Sequence, residues 1–175
     1  MAFLTIPKQK TVLREATDIK NYLSVRGILY EQWQAATRLA DDADQDTILN
    51  AYSHVLQPYM AANGYKTADV INVTPNSPNL EALRTKFLSE HTHTEDEVRF
   101  FVDGEGMFWF NLEGENDVFC VTCQAGDLIS VPANSKHWFD LGSKTFVKAI
   151  RVFIDTSGWV PHYTNSGIDV KYSSL

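Results

Sequence analysis

Residues 90–104 read EHTHTEDEVRFFVDG, and the way this stretch alternates decides how the rest of the chain is read. His91, His93 and Glu97 put three good metal ligands within seven residues. On an extended strand successive side chains point to opposite faces, so residues an even number apart share a face. With no bulge between them, His91, His93 and Glu97 take one face, and Val98, Phe100 and Val102 take the other. A fourth ligand candidate, His137, lies forty-six positions after His91, behind the turn signal PANSKH. Three neutral imidazoles and one carboxylate suit a borderline divalent ion such as Fe(II), Ni(II), Mn(II), Co(II) or Zn(II). They suit Ca(II) or Mg(II) poorly.

Outward from this stretch, residues 90–154 are short alternating or apolar runs: EVRFFV, GMFWFNL, DVFCVTC, DLISVP, HWFDL and FVKAIRVFI. The turn signals between them are DGEG, EGEND, QAGD, PANSK and GSK. Short strands recurring every 8 to 12 residues or so point to a β-sandwich or barrel. The first half is mixed. AFLTI, ILYEQWQA and ADVINVT read as strands, and KNYLSVR as a short helix after Asp18, stopped by Gly27. A helix fits DTILNAYSHVLQ, with Ile48, Tyr52, Val55 and Tyr59 near one face; Pro58 ends or kinks it before Gly64 closes it. After the turn TPNSPN, Pro78 can start a helix through LEALRTKFL, where Leu80, Leu83 and Phe87 share a face. The expectation is one mainly β domain with α, a β-barrel with helices concentrated in the N-terminal half. Residues 1–89 form its mixed part, 90–154 the metal-binding barrel core and 155–175 a closing segment.

At 175 residues, 44% of them hydrophobic, the chain can bury one substantial core. Its formal charge of −7, with no basic block, argues against nucleic-acid and anionic-membrane partners. No run reaches the roughly 18 apolar residues of a membrane span, and MAFLTIPKQK lacks the layout of a signal peptide, so a cytoplasmic location is expected. The two cysteines form CVTC, a spacing used in zinc and redox sites. Within a strand, however, Cys120 and Cys123 face opposite ways, and no second pair completes a zinc site. Two buried thiols are the expectation.

The spacing His-x-His-x3-Glu-x6-Gly, running through His91, His93, Glu97 and Gly104, is followed by Gly126-x5-Pro132-x-Asn134-x2-His137. These blocks resemble the two motifs of the cupin superfamily, which implies a jelly-roll barrel with a metal on its inner face. Asn134 stands where that pattern usually has Gly, and Leu141 where it often has Asn. More specifically, KFLSEHTHTEDEVRFFVDGEG, DLISVPANSKHWFDLGS and AIRVF…GWVPHYT resemble the acireductone dioxygenase family of methionine salvage. The resemblance continues upstream through GILYEQWQA and NAYSHVLQPYMAANGYKTADVINV.

It implies His91, His93, Glu97 and His137 as ligands of one Fe(II) or Ni(II) ion per chain, with Fe(II) as the default. The small-molecule partners would be an acireductone and O2. It also implies Arg99 and Arg151 beside the substrate, and Phe87, Phe139 and Trp159 around its thioether. Strand parity puts Arg99 on the face of Glu97; a surface ion pair with Asp96 or Asp103 is the alternative. Core packing is the alternative for the three aromatics. Glu90 and Asp96 flank the ligands, either bonding the distal nitrogens of ligand histidines or remaining solvated loop charges. His54 and His162 have no ligand partners in sequence and are expected at the surface or in structural roles. The rival function is a metal-binding cupin of another activity, an isomerase or a small-molecule binder without turnover. A monomer with no obligatory protein partner is expected.

Overall fold

The computed structural model describes residues 1–114 and 117–172. Part of the turn expected over 113–117, and the last three residues of the expected closing segment, lie outside the described residues. The fold turns on one long strand, β6 (Glu97–Asn111), which belongs to two sheets. Its first half pairs antiparallel with β8 (Asp127–Val131) and β10 (Val147–Phe153). Its second half pairs antiparallel with β7 (Val118–Gln124) and β9 (His137–Asp140). The first sheet is completed by β3 (Leu29–Gln32) outside β8 and β4 (Thr67–Val73) outside β10. The second adds a hairpin of β1 (Phe3–Ile6) and β2 (Thr11–Leu13) beside β7. On its other side are β5 (His91–Thr92) and β11 (His162–Tyr163), beside β9.

The expected barrel is not what forms. The sheet is mainly β with helices mostly N-terminal, as expected, but it is not closed: β2, β11, β3 and β4 end it without meeting one another among the described residues. Alternation along a strand reports which face is inward; it carries no information about whether the last strand meets the first. The crossing of β6 from one sheet to the other occurs at glycines. Gly104 has φ +74°, and a Cβ there would run into the carbonyl of Phe146, while Gly106 leaves room for the ring of Phe139.

The two faces of β6 feed separate cores. Val98 and Phe100 pack with Trp33, Ile48, Tyr52 and Ile150 on the helix-covered side of the first sheet. Phe101, Phe108, Phe110, Phe119 and Phe139 belong to the core on the opposite face. Each such buried aromatic contributes roughly 1.5–3 kcal/mol of apolar transfer. The helices cover the outer side. α1 (Ala16–Ser24) starts four residues earlier than the sequence suggests, burying Ile19 and Leu23. The expected single helix around residue 52 is two, α2 (Gln45–Ala51) and α3 (Ser53–Asn63). The break falls at Tyr52, whose ring is turned onto Phe100 at 4.6 Å, while Pro58 lies inside α3. Asp44 caps α2 by accepting from the Thr47 N–H, and Gly64 ends α3 in the left-handed region. α4 (Leu80–Leu88) follows β4 as the sequence suggests.

Cys120 packs with Trp109 and Trp138, Cys123 in the core that holds Phe101 and Phe139, so the two thiols are buried on opposite faces of β7. A short C-terminal helix, α5 (Ile168–Tyr172), lays Ile168 and Tyr172 on the Trp109–Trp138 stack. Among the described residues no helix is long and apolar enough to cross a membrane.

Candidate metal centre

The pairing of β5 with β9 sets His91 directly across from His137, and β6 in turn sets Phe110 across from His137. His93 follows β5 in the turn that leads into β6, where Glu97 is the first residue. The stretch 91–97 is therefore not one continuous strand. A bend between residues 92 and 97, rather than unbroken alternation, turns the three side chains inward. The bend is tied down by Asn134, whose N–H donates to the His93 carbonyl at 2.8 Å. Asn134 itself sits at φ +63°, a left-handed conformation that asparagine tolerates. His91, His93, Glu97 and His137 are all buried, and their candidate ligand atoms lie within 4.8 Å of one another.

Each imidazole is oriented by a backbone carbonyl. Nδ1 of His91 lies 2.7 Å from the Ser89 oxygen, Nδ1 of His137 2.8 Å from the Ser135 oxygen, and Nδ1 of His93 3.2 Å from the Val160 oxygen. A carbonyl can only accept, so Nδ1 carries the proton in all three rings and Nε2 presents a lone pair. The lone pairs of His93 and His137 point at Oε2 of Glu97, at 3.1 and 2.9 Å. Burial opposes the ionised form of Glu97, but the Arg99 guanidinium beside it holds its carboxyl well below the usual range. Burial, with His137 beside it, pulls His91 down to about 4, which keeps it neutral. Acceptors converging on acceptors in a dry pocket require a cation between them. A donor set of three imidazole nitrogens and one carboxylate oxygen fits a divalent transition metal.

Arg99 is buried, so the surface ion pair with Asp96 or Asp103 does not form. Its Nη2 donates to Oε1 of Glu97 at 2.7 Å, its guanidinium lies 4.3 Å from the centre of the Phe139 ring, and its Nε has no partner among the described residues. Arg151 is directly opposite Arg99 in the β10–β6 ladder and forms a two-point ion pair with Asp69, at 2.8 and 2.6 Å. Both arginines line a cavity of about 310 Å³ together with Phe87, Phe139, Leu83 and Arg84. Trp159 is not part of that wall. It packs on Phe153 at 4.5 Å and lies nearly parallel to the His93 ring, 6.1 Å away.

Glu90 and Asp96 are neither solvated nor bonded to a ligand histidine, because the carbonyls already occupy the distal nitrogens. Glu90 is buried and accepts from Asn111 Nδ2 at 2.6 Å, from Ser166 Oγ at 2.8 Å and from the Thr164 hydroxyl. Asp96 accepts from the Tyr65 hydroxyl and from the Ala133 N–H, holding the loop that leads to His137. His54 is exposed on α3, and His162 is exposed on β11, opposite Thr92. Five side-chain partners escaped the sequence reading: Tyr65, Asp69, Asn111, Thr164 and Ser166. Asp69 alone carried a signal, as a charge inside the apolar run ADVINVT.

Residues 5–161 match the model of the ARD/ARD' family. A curated acireductone dioxygenase from a Picosynechococcus strain is 53% identical over 175 residues, covering 100% of this chain and 99% of that protein. One from Granulibacter bethesdensis is 53% identical over 150 residues, 86% of this chain and 83% of that protein. Among solved structures, an acireductone dioxygenase from Bacillus anthracis with a cadmium ion in its active centre superposes with a TM-score of 0.83. It is 37% identical, and the match covers 93% of this chain and 98% of that one.

Proposed function

Because this chain belongs to the ARD/ARD' family, we propose that His91, His93, Glu97 and His137 hold one Fe(II) or Ni(II) ion, with Fe(II) the ion of the productive route. The activity is that of an acireductone dioxygenase in methionine salvage. It cleaves 1,2-dihydroxy-3-keto-5-methylthiopentene with O2, giving formate and 4-methylthio-2-oxobutanoate with Fe(II). With Ni(II) the products are formate, carbon monoxide and 3-methylthiopropanoate. The observation that carries this reading is the convergence of four buried ligand atoms within 4.8 Å, joined through Arg99 to the neighbouring cavity.

A divalent ion held by these four residues would supply Lewis-acid stabilisation of the enediolate. The remaining work falls to the chain. Carbonyls of Ser89, Ser135 and Val160 hold the Nδ1 protons, so the Nε2 lone pairs are fixed before any ligand arrives. Arg99 keeps Glu97 ionised and spends one carboxylate oxygen, leaving Oε2 for the metal. Its unpartnered Nε is a buried donor that a substrate oxygen would satisfy. Arg151, held by Asp69, adds a second positive charge to the cavity wall, which favours an enediolate over a neutral molecule. Phe87 and Phe139 offer ring contacts to the thioether, and Trp159 shields the outer side of His93 from water.

We read the chain as a single domain acting as a monomer in the cytoplasm. Its charge of −7 opposes nucleic-acid and anionic-membrane partners, and its two free buried thiols suit a reducing compartment. Anaerobic metal analysis, followed by product analysis with an acireductone and O2, tests the assignment. Keto acid and formate from iron-loaded protein are expected; no O2 uptake with either metal bound would overturn it.

A further inference from the structure

On the outer side of the first sheet, away from the metal ligands, lies an open cleft of about 390 Å³ that the reaction does not use. Its floor is a cross-strand pair, Lys148 on β10 and Asp103 on β6, which are register partners beside the bulge that follows Lys148. Opposite charges at such positions ordinarily pair with each other. Here they do not. Lys148 is 7% exposed, and its Nζ donates to the backbone carbonyl of Asp41 at 2.6 Å, with no ion pair to a carboxylate among the described residues. Asp103 instead accepts from the Gly104 N–H at 2.7 Å. An ammonium has three N–H donors, and a carbonyl takes one of them.

A buried cation left with spare donors, and an adjacent carboxylate left with spare lone pairs, line the same cleft. Burying such a charge without a counter-charge is costly. Part of the remaining wall is apolar and aromatic, from Ile48 and Tyr52 at the junction of α2 and α3, Leu39 on the preceding loop, and Val102 beside Asp103, while Thr37 and Asp41 supply polar groups. Tyr52 is close enough to Asp103 for that carboxylate, after burial, to help raise its phenol. Arg38 stands at the exposed rim.

We propose that this cleft is a second small-molecule site, for a zwitterionic α-amino acid with an unbranched apolar side chain. The carboxylate meets Lys148, the α-ammonium meets Asp103, and the side chain lies on Ile48 and Tyr52. The separated pair explains the zwitterion: a ligand carrying both charges completes the two interactions that the protein leaves open. A carboxylate without an amine would make no use of Asp103, and an amine without a carboxylate would leave the buried Lys148 without a counter-charge. The site is separate from the metal centre: none of its lining residues is a metal ligand or lines the cavity beside Arg99 and Arg151.

The test is calorimetric titration of the full metal-loaded chain with L-norleucine, hexanoate and pentylamine, which differ only in the charged groups they keep. Saturable binding of norleucine at one site is expected, with hexanoate and pentylamine each weaker by about tenfold or more. Asp103→Asn, an exposed change that leaves the core untouched, should lower norleucine affinity to that of hexanoate. Lys148→Met should lower it to that of pentylamine, with O2 uptake on the acireductone unchanged in both. Equal affinity for norleucine and hexanoate, no binding of any of the three, or an unaltered affinity in Asp103→Asn would each overturn the proposal.

Discussion

Arg99 and Glu97 lie two residues apart on β6, and the guanidinium of one takes a single oxygen of the other's carboxylate at 2.7 Å. The second oxygen is left facing His93 and His137. A strand makes this pairing local, because residues two apart share a face. The carboxylate is thereby ionised, aimed and half-occupied before a metal binds. Replacing Arg99 by Met should leave Glu97 as an unpaired buried charge. We expect the metal-free protein to lose about 3–5 kcal/mol, the usual cost of breaking a buried pair from one side. Chemical denaturation of the apo forms measures it; a loss under about 1 kcal/mol would show that the pair is not what keeps Glu97 charged.

His93 differs from the other two histidines in taking its Nδ1 partner from far along the chain, at Val160. His93→Ala should weaken metal retention by more than the roughly 10–100-fold that follows loss of a ligand's hydrogen-bond partner. O2 uptake should vanish with the metal while the far-ultraviolet dichroism stays that of the parent. Full metal occupancy in this variant would remove His93 from the ligand set.

Asp69 separates stability from function. Its ion pair with Arg151 is about a third exposed on both sides, so Asp69→Asn should change stability by no more than about 1 kcal/mol. Releasing Arg151 from that two-point grip should nevertheless lower kcat/KM for the acireductone by about tenfold, read by steady-state O2 consumption. Unchanged kinetics would mean that Arg151 does not act on the substrate.

The thiols offer a test of the sheet. Burial raises the pKa of both Cys120 and Cys123, so neither is a thiolate at neutral pH. Native protein should fail to react with a thiol reagent on the timescale of minutes, and unfolded protein should titrate two thiols. Fast labelling of one cysteine in the native state would contradict its placement in β7.

Gly104 combines φ +74° with a Cβ position blocked by the Phe146 carbonyl. Gly104→Ala should cost at least about 1–3 kcal/mol through backbone strain alone. A melting temperature equal to the parent's would show that β6 can cross between the sheets by another path.

Much of the site was legible because its ligands are side chains with one chemistry each. His91, His93, Glu97 and His137 announce themselves by residue type and spacing, and Arg99 by parity with Glu97. What holds the histidines was not legible, since Ser89, Ser135 and Val160 act through carbonyls, and every residue has a carbonyl. The roles of Glu90 and Asp96 were misread for the same reason: with the distal nitrogens taken, both carboxylates turn to Asn111, Ser166, Tyr65 and Ala133. Many strands and α4 followed from alternation and local turn and helix-start residues, but the open edges did not, nor did the continuity of β6 through DGEG, expected as a turn. The break at Tyr52 escaped because a ring packed on Phe100 overrides a helical pattern that runs smoothly through it.

The proton on His93 is set by an oxygen that the ribosome adds sixty-seven residues after the imidazole. His91 and Glu97 likewise emerge well before His137. A nascent chain therefore carries three of the four ligands until His137 is made, and the His93 tautomer stays undefined until Val160 follows. Metal acquired in that interval meets a looser and less selective donor set than the finished one. The donor set with all three tautomers fixed exists only once residue 160 has docked.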